Sequence, residues 1–131
     1  MSTIPDDLKY TQSHEWLRDR GDGVIELGIT DHAQDALGEL VYVETPEVGR
    51  EIDAGETCAT VESVKSASDV YTPIAGEIVD ANDSLADAPE KVNNDPYGAG
   101  WLARIRAADG TTLDGFMDAA AYSEYCENGD H

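Results

Sequence analysis

Turn-forming residues recur at short intervals through the middle of the chain, and this spacing restricts the fold more than any other feature. Between residues 48 and 79 they fall at Gly49, at Asp53-Ala54-Gly55, near residues 64–66, and at residues 73–76. Short runs of β-forming residues separate these turns. Such regular spacing is typical of a sandwich or barrel of short strands. We therefore expect a mainly β fold.

The N-terminal flank of this segment carries signals for a hairpin and a short helix. Gly21-Asp22-Gly23 precedes the alternating run of residues 24–29, which predicts a β-hairpin with a glycine turn. Thr30 or Asp31 can cap a short helix near residues 31–37 that Gly38 ends. Extended structure should then resume over residues 40–43.

The C-terminal flank predicts a long connection, one more strand and a final helix. Residues 82–100 are polar and rich in Asn, Asp and Pro, so we expect a surface connection with one helical turn around residues 85–92. Residues 101–105 alternate like a last strand. After a turn at Asp109-Gly110, residues 113–126 space their apolar side chains at helical intervals. We expect this C-terminal helix to pack on the strands.

The charge of the chain restricts its partners. Eight basic residues stand against 28 acidic ones, for a formal net charge of -20. This charge would repel a phosphate backbone or an anionic membrane surface, so we expect neither nucleic acid nor membrane as a partner. The acidity favours solubility, and it also suits a cytoplasm of molar salt, where the Debye length falls to about 3 Å. Both explanations stay open.

Length and terminal composition predict one soluble domain. The 131 residues suit a single domain over residues 1–131, with its core at about residues 10–126 and short polar termini. The apolar runs are far shorter than the roughly 20 residues of a membrane span. The N-terminus lacks the features of a signal or transit peptide. We expect a cytoplasmic protein, or a processed protein of the mitochondrial matrix if the source is eukaryotic.

Two letter patterns that suggest ligand binding fail on their context. Residues 98–103 match G-x-G-x-x-A but lead into a predicted strand, whereas a dinucleotide loop follows a strand and opens a helix. Asp80, Asn82 and Ser84 begin like a calcium loop, but Leu85 stands where that loop requires glycine. Neither pattern predicts a site.

The histidines and cysteines show no metal-ligand spacing. His14 and His32 are far apart, and Cys58 and Cys126 lie outside any CxxC arrangement. No G-x-S-x-G elbow is present either. We therefore predict no metal site and no catalytic residues, so that the chain is not an enzyme; an enzyme with an unrecognised site remains the disfavoured alternative.

One lysine stands out by its position. Residues 60–71 form two β-rich arms with Lys65 between them, and the chain has only two other lysines, Lys9 and Lys91. A lysine in a turn is usually just a solvated side chain. The tip of a hairpin, however, is the place from which an attached arm reaches furthest. We therefore interpret Lys65 as a candidate attachment site.

Many ordered segments support this interpretation, because together they resemble the H-protein family of the glycine cleavage system from about Tyr10 to the C-terminal helix. The segments are Ser13-His14-Glu15-Trp16, Gly28-Ile29-Thr30-Asp31-His32-Ala33-Gln34, Leu37-Gly38-Glu39, Pro46-Glu47-Val48-Gly49, Glu62-Ser63-Val64-Lys65, Ser68-Asp69, Pro73 with Gly76-Glu77, Asn94-Asp95-Pro96-Tyr97-Gly98 and Gly100-Trp101-Leu102. Biotin carriers have a similar architecture but place a methionine on each side of the lysine, where this chain has Val64 and Ser66. The resemblance is therefore to lipoyl carriers.

The resemblance implies a barrel-sandwich hybrid of short antiparallel strands, with lipoic acid in amide linkage to Lys65. It also implies an arm-docking cleft, which we assign to Glu15, His32, Ser68 and Asp69. The carrier would take the aminomethyl group of glycine from a pyridoxal-phosphate decarboxylase to a tetrahydrofolate-dependent aminomethyltransferase. A dihydrolipoamide dehydrogenase would reoxidise the arm, and a lipoyl or octanoyl ligase or transferase would attach it. The alternative is an H-like scaffold that passes octanoyl or lipoyl groups to other carriers.

Overall fold

The computed structural model describes residues 4–108, 113 and 115–127. Within them the chain forms nine strands and four short helices. The strands are β1 (Lys9–Tyr10), β2 (Glu15–Asp19), β3 (Val24–Ile29), β4 (Leu40–Glu44), β5 (Glu51–Ile52), β6 (Thr57–Ser63), β7 (Ala67–Tyr71), β8 (Gly76–Ala81) and β9 (Ala103–Ala107). The helices are α1 (Asp31–Leu37), α2 (Ser84–Asp87), α3 (Glu90–Asn94) and α4 (Ala119–Glu127).

The strands form two antiparallel sheets. The larger sheet has the order β1-β2-β3-β9-β8-β5, and the smaller has the order β4-β6-β7. Each sheet contributes to buried apolar clusters, one centred on Leu27, Ile78 and Ile105 and another on Val61 and Leu102. The predicted barrel-sandwich hybrid of short antiparallel strands is confirmed. None of the helices in the described residues is long and apolar enough to cross a bilayer.

The local signals at the N-terminal flank act as predicted. The β2–β3 turn contains Gly21, Asp22 and Gly23, all at positive φ, a conformation that glycine adopts without a steric cost. Helix α1 begins after Thr30, whose side chain accepts a hydrogen bond of 3.2 Å from the Ala33 N–H. It ends at Gly38, which has a φ of 86°.

The C-terminal elements differ from the prediction. Helix α4 begins at Ala119 rather than near residue 113, because Met117 is held in an extended bridge with Tyr10 by hydrogen bonds of 2.8 and 3.0 Å. Asp118 then accepts a bond of 2.8 Å from the Ala121 N–H and caps the helix. The last strand is β9, two residues later than predicted. The polar connection forms two helices, α2 and α3, and the predicted turn at Asp109-Gly110 lies outside the described residues.

A third cluster joins both ends of the chain. It contains Leu8, Tyr10, Trp16 and Tyr122, all at most 2% exposed. Trp16 faces Gly28 across the β2–β3 ladder, and its indole N–H donates to the Pro96 carbonyl at 2.9 Å. Helix α4 is thereby packed against the first two strands.

Candidate functional site

The hairpin that carries Lys65 has an ordered tip. Strands β6 and β7 pair as far as Glu62 and Ala67, and residues 64–66 form the turn. The Ser63 hydroxyl accepts hydrogen bonds from the backbone N–H groups of Lys65 and Ser66, at 3.2 and 3.1 Å. The Ser63 N–H donates to the Ser66 carbonyl at 2.7 Å. The backbone of the tip is therefore fixed although its side chains are exposed.

The tip also rests on the end of helix α1. The Val64 N–H donates to the Glu39 carbonyl at 3.2 Å. A Cβ on Gly38 would lie 3.3 Å from Cε of Lys65, so the lysine stem passes over this glycine. Lys65 itself is exposed, and the neighbouring Val64 is 68% exposed. The amine is thus presented to solvent from a supported backbone.

A cavity of about 370 Å³ opens where the far end of β7 meets the N-terminal strands. Its lining includes Thr11, Glu15, Tyr71, Phe116 and Met117. The lining combines apolar and aromatic side chains with one buried carboxylate, which is typical of small-ligand sites. The base of the lysine hairpin therefore forms part of a cavity wall.

Glu15 is the buried acidic group of this cavity, at 4% exposure. Its carboxylate accepts a hydrogen bond of 2.6 Å from the Thr11 hydroxyl and a further one from the Tyr71 backbone N–H. Burial raises the pKa of Glu15 above its ordinary value, while these two hydrogen bonds oppose the rise. A cation in the cavity would favour the ionised form.

One face of β7 leads from the hairpin tip to this cavity. Alternate residues of a strand share a face, so Ala67, Asp69 and Tyr71 lie in a row, spaced by roughly 6.6 Å at the usual rise of a strand. Asp69 is exposed and accepts a bond of 3.3 Å from the Thr60 hydroxyl. Ser68, also exposed, lies on the alternate face with Val70. Asp69 is thus two residues before Tyr71, which lines the cavity together with Glu15.

His32 lies in a different group. Its ring is 4.6 Å from the ring of His14, and neither histidine is among the residues that line the cavity. His14 Nδ1 and the Thr30 hydroxyl each lie 2.7 Å from the Tyr122 hydroxyl. Burial raises the pKa of Tyr122 well above its ordinary value, so this hydroxyl keeps its proton. Cys126 completes the group, which we call the His14–His32–Cys126 cluster.

Sequence reasoning missed both this cluster and two partners of Glu15. Thr11, in the connection after β1, and Tyr71, at the end of β7, both contact the carboxylate, and nothing in the local sequence indicates either contact. His14, His32 and Cys126 meet because the residue before β2 and the cap of α1 both contact Tyr122 of helix α4. The spacing of the three residues in the sequence does not indicate this contact.

Comparisons with known proteins agree on one family. The family model described as glycine cleavage H-protein matches residues 8–129. The glycine cleavage system H protein of Halorhodospira halophila is 59% identical over 124 residues, which cover 95% of this chain and 95% of that protein. The one from Pseudoalteromonas translucida is 58% identical over 123 residues, which cover 94% and 95%.

A solved structure shares the fold as well. The crystal structure of a glycine cleavage system H protein from Mycobacterium marinum has a TM-score of 0.81 and 42% sequence identity to this chain. The match covers 97% of this chain and all of that one. Matches of this extent leave no substantial part of either chain unaccounted for. The chain belongs to the glycine cleavage H-protein family.

Proposed function

We propose that this protein is a lipoyl carrier of the glycine cleavage system and that Lys65 holds the lipoyl group. The observation that carries the proposal is the tip of the β6–β7 hairpin, where an exposed lysine stands on a backbone fixed by Ser63 and Glu39. A ligase or transferase can approach such a tip from most directions. The same exposure lets an attached arm visit several enzymes in turn.

The chain contributes position rather than reaction chemistry. When bound, the lipoyl disulfide supplies the electrophilic sulfur that receives the aminomethyl cargo of glycine. The partners would be the pyridoxal-phosphate decarboxylase, the tetrahydrofolate-dependent aminomethyltransferase and dihydrolipoamide dehydrogenase. The carrier itself is no enzyme in this proposal. Its own residues hold the arm, keep the hairpin in shape and shelter the cargo.

The cavity beside Glu15 suits the sheltering role. The cargo carries an amine, which as an ammonium pairs with a carboxylate. An arm that lies along the outer face of β7 passes Asp69 before it reaches Tyr71 and Glu15. A charge-assisted hydrogen bond in a partly buried site contributes about 1.5–3 kcal/mol, enough to favour docking by roughly tenfold or more. The resemblance also implies His32 and Ser68 for this cleft, but neither lines the cavity beside Glu15, so the proposal rests on Glu15 and Asp69.

Intact mass of protein from the native host, compared with its Lys65→Arg variant, tests the attachment site. We expect a lipoyl mass on the wild type and none on the variant, because a guanidinium stays protonated and is not acylated like an amine. Lys9→Arg is the matched control and should remain lipoylated. A lipoyl mass that persists in Lys65→Arg, or maps to Lys91, contradicts the assignment.

The sheltering role is tested with Glu15→Gln. We expect this variant to be lipoylated normally but to release ammonia faster after charging with glycine and the decarboxylase, with no transferase present. Glu77→Gln, a change at an exposed glutamate of β8, is the control and should behave as the wild type. Equal release from all three proteins would remove Glu15 from the proposed cleft.

A further inference from the structure

The His14–His32–Cys126 cluster has the composition of a transition-metal site. One potential ligand atom from each residue lies within 4.8 Å of the other two, and all three side chains are partly buried. Two imidazoles and a thiolate are ligands that Zn²⁺ prefers. Around a tetrahedral zinc ion such atoms stand roughly 3.3–3.6 Å apart, given bonds of about 2.0–2.3 Å. The observed separations, which are no larger than 4.8 Å, therefore need a contraction of at most about 1.5 Å, which side-chain rotation can supply.

The surroundings of His14 support the same interpretation. His14 has a φ of 69°, a left-handed conformation that few residues other than glycine adopt. This conformation aims the ring at His32 and at the Tyr122 hydroxyl, which is 2.7 Å from Nδ1. A metal-bound histidine usually donates its second ring N–H to an oxygen that fixes the tautomer. Tyr122 is placed to accept that bond if His14 coordinates through Nε2.

Tyr122 also has a second partner. Its hydroxyl lies 2.7 Å from the Thr30 hydroxyl, so its oxygen can accept from the imidazole while its own proton is donated to Thr30. Cys126 is four residues further along the same helix, α4. The buried Tyr122 hydroxyl is therefore placed to hold His14 in position beside the other two side chains.

We propose that His14, His32 and Cys126 bind one Zn²⁺ ion, with water in the fourth position and the Tyr122 hydroxyl bonded to the Nδ1 of His14. Binding releases the thiol proton of Cys126 and leaves both imidazoles neutral. The ion would connect the start of β2, the first turn of α1 and the last turn of α4. None of these three residues is among those that line the Glu15 cavity.

Cobalt(II) is the spectroscopic probe, because it replaces zinc and reports a thiolate ligand by charge-transfer absorption. The full-length chain without lipoylation is used, so that no arm dithiol competes. We expect one equivalent of Co²⁺ to bind with thiolate charge-transfer bands that Zn²⁺ abolishes. Zn²⁺ should also raise the thermal unfolding midpoint, since it binds the folded state preferentially.

Variants decide which residues hold the metal. Cys126→Ala should abolish the charge-transfer bands. Tyr122→Phe, which removes only the hydrogen bond to His14, should weaken Zn²⁺ binding by roughly 10- to 100-fold. His32→Gln removes a ligand and should weaken it by more. Cys58→Ala and His131→Gln are matched controls and should bind normally. Cys58 is a suitable control because it is buried, and this burial raises the pKa of its thiol to about 12. His131 is the third histidine of the chain and lies outside the described residues.

Two results would overturn the proposal. One is Zn²⁺ binding that is unchanged in Cys126→Ala and His32→Gln, which would assign it to the many surface carboxylates. The other is the absence of thiolate bands from the wild type at saturating Co²⁺. If a ligand variant fails to fold, Tyr122→Phe and the wild-type spectrum still decide the outcome.

Discussion

Substitution of Gly28 by alanine should destabilise the fold through a single steric overlap. A Cβ at this position would lie 2.6 Å from Cε2, Cζ2 and Nε1 of Trp16, whereas carbon atoms attract best at about 3.5–4.0 Å. The indole would have to move by roughly 1 Å. Trp16 is fully buried, so no open space receives it.

Two costs and one gain set the magnitude. Overpacking of a core costs about 1–3 kcal/mol. The displaced indole also strains its buried hydrogen bond to the Pro96 carbonyl, and losing such a bond costs about 1–3 kcal/mol. Replacing a strand glycine returns about 0.5–1 kcal/mol. We expect a net loss of about 1–5 kcal/mol in the free energy of unfolding, which at the middle of the range is roughly 10 °C in melting temperature.

Urea unfolding of four proteins tests this reasoning. They are the wild type, Gly28→Ala, Trp16→Leu, which removes all three overlapping ring atoms, and the double variant. The cost of Gly28→Ala should fall by at least about 1 kcal/mol in the Trp16→Leu background, because residues in contact are not additive. Gly115→Ala, where nothing lies within 4 Å of the added Cβ, should change stability by less than about 0.5 kcal/mol. An equal cost of Gly28→Ala in both backgrounds would refute the overlap.

Three further predictions concern charge, protonation and capping. The thermal midpoint should rise between about 0.1 M and several molar KCl as the repulsion from a net charge of -20 is screened; a flat or falling midpoint would leave the acidity as an aid to solubility alone. Because burial raises the pKa of Glu15 above 4.5, the folded state binds that proton more tightly than the unfolded state, and the wild type loses stability as pH rises from about 4.5 through the raised pKa. Urea titrations should therefore show that Glu15→Gln gains stability relative to the wild type as pH rises from about 4.5 through the raised pKa, and that the difference between the two free energies of unfolding then levels off. A difference that stays constant with pH would contradict the direction of the pKa shift. Thr30→Ala removes both the cap of α1 and a partner of Tyr122, so it should cost about 1–2 kcal/mol in thermal unfolding, whereas Thr30→Ser should cost much less; similar losses for both would rule out the hydroxyl as the cause.

Elements whose signals are local were predictable from the sequence. Thr30 caps the start of α1 and Gly38 ends it, and each interacts with residues only a few positions away. The turn at Gly21-Asp22-Gly23 is equally local. The lysine hairpin was also predictable, because its arms are adjacent in the chain. In each case the interactions that define the element close within one short segment.

Features that depend on distant partners were not predictable. Residues 113–117 have helical spacing, but the bridge between Met117 and Tyr10 holds them extended. The contact of Tyr71 with Glu15 and the meeting of His14 with Cys126 likewise join residues that are far apart in the chain. Amphipathic periodicity records which side chains are buried, but it does not record which distant residue buries them.

The fixed tip of the hairpin has an electrostatic consequence. Two exposed glutamates belong to the surroundings of the tip: Glu62 lies three positions before Lys65, and Glu39 accepts a backbone hydrogen bond from Val64. Amide formation at the Lys65 amine removes one positive charge, so the formal net charge moves from -20 to -21 (−20 − 1) and the tip loses its lysine cation. An enzyme with a cationic entrance would then attract the modified carrier more strongly than the unmodified one, and most strongly at low ionic strength. Attachment of the arm would thereby also help partner enzymes to distinguish the modified carrier from the unmodified one by its charge.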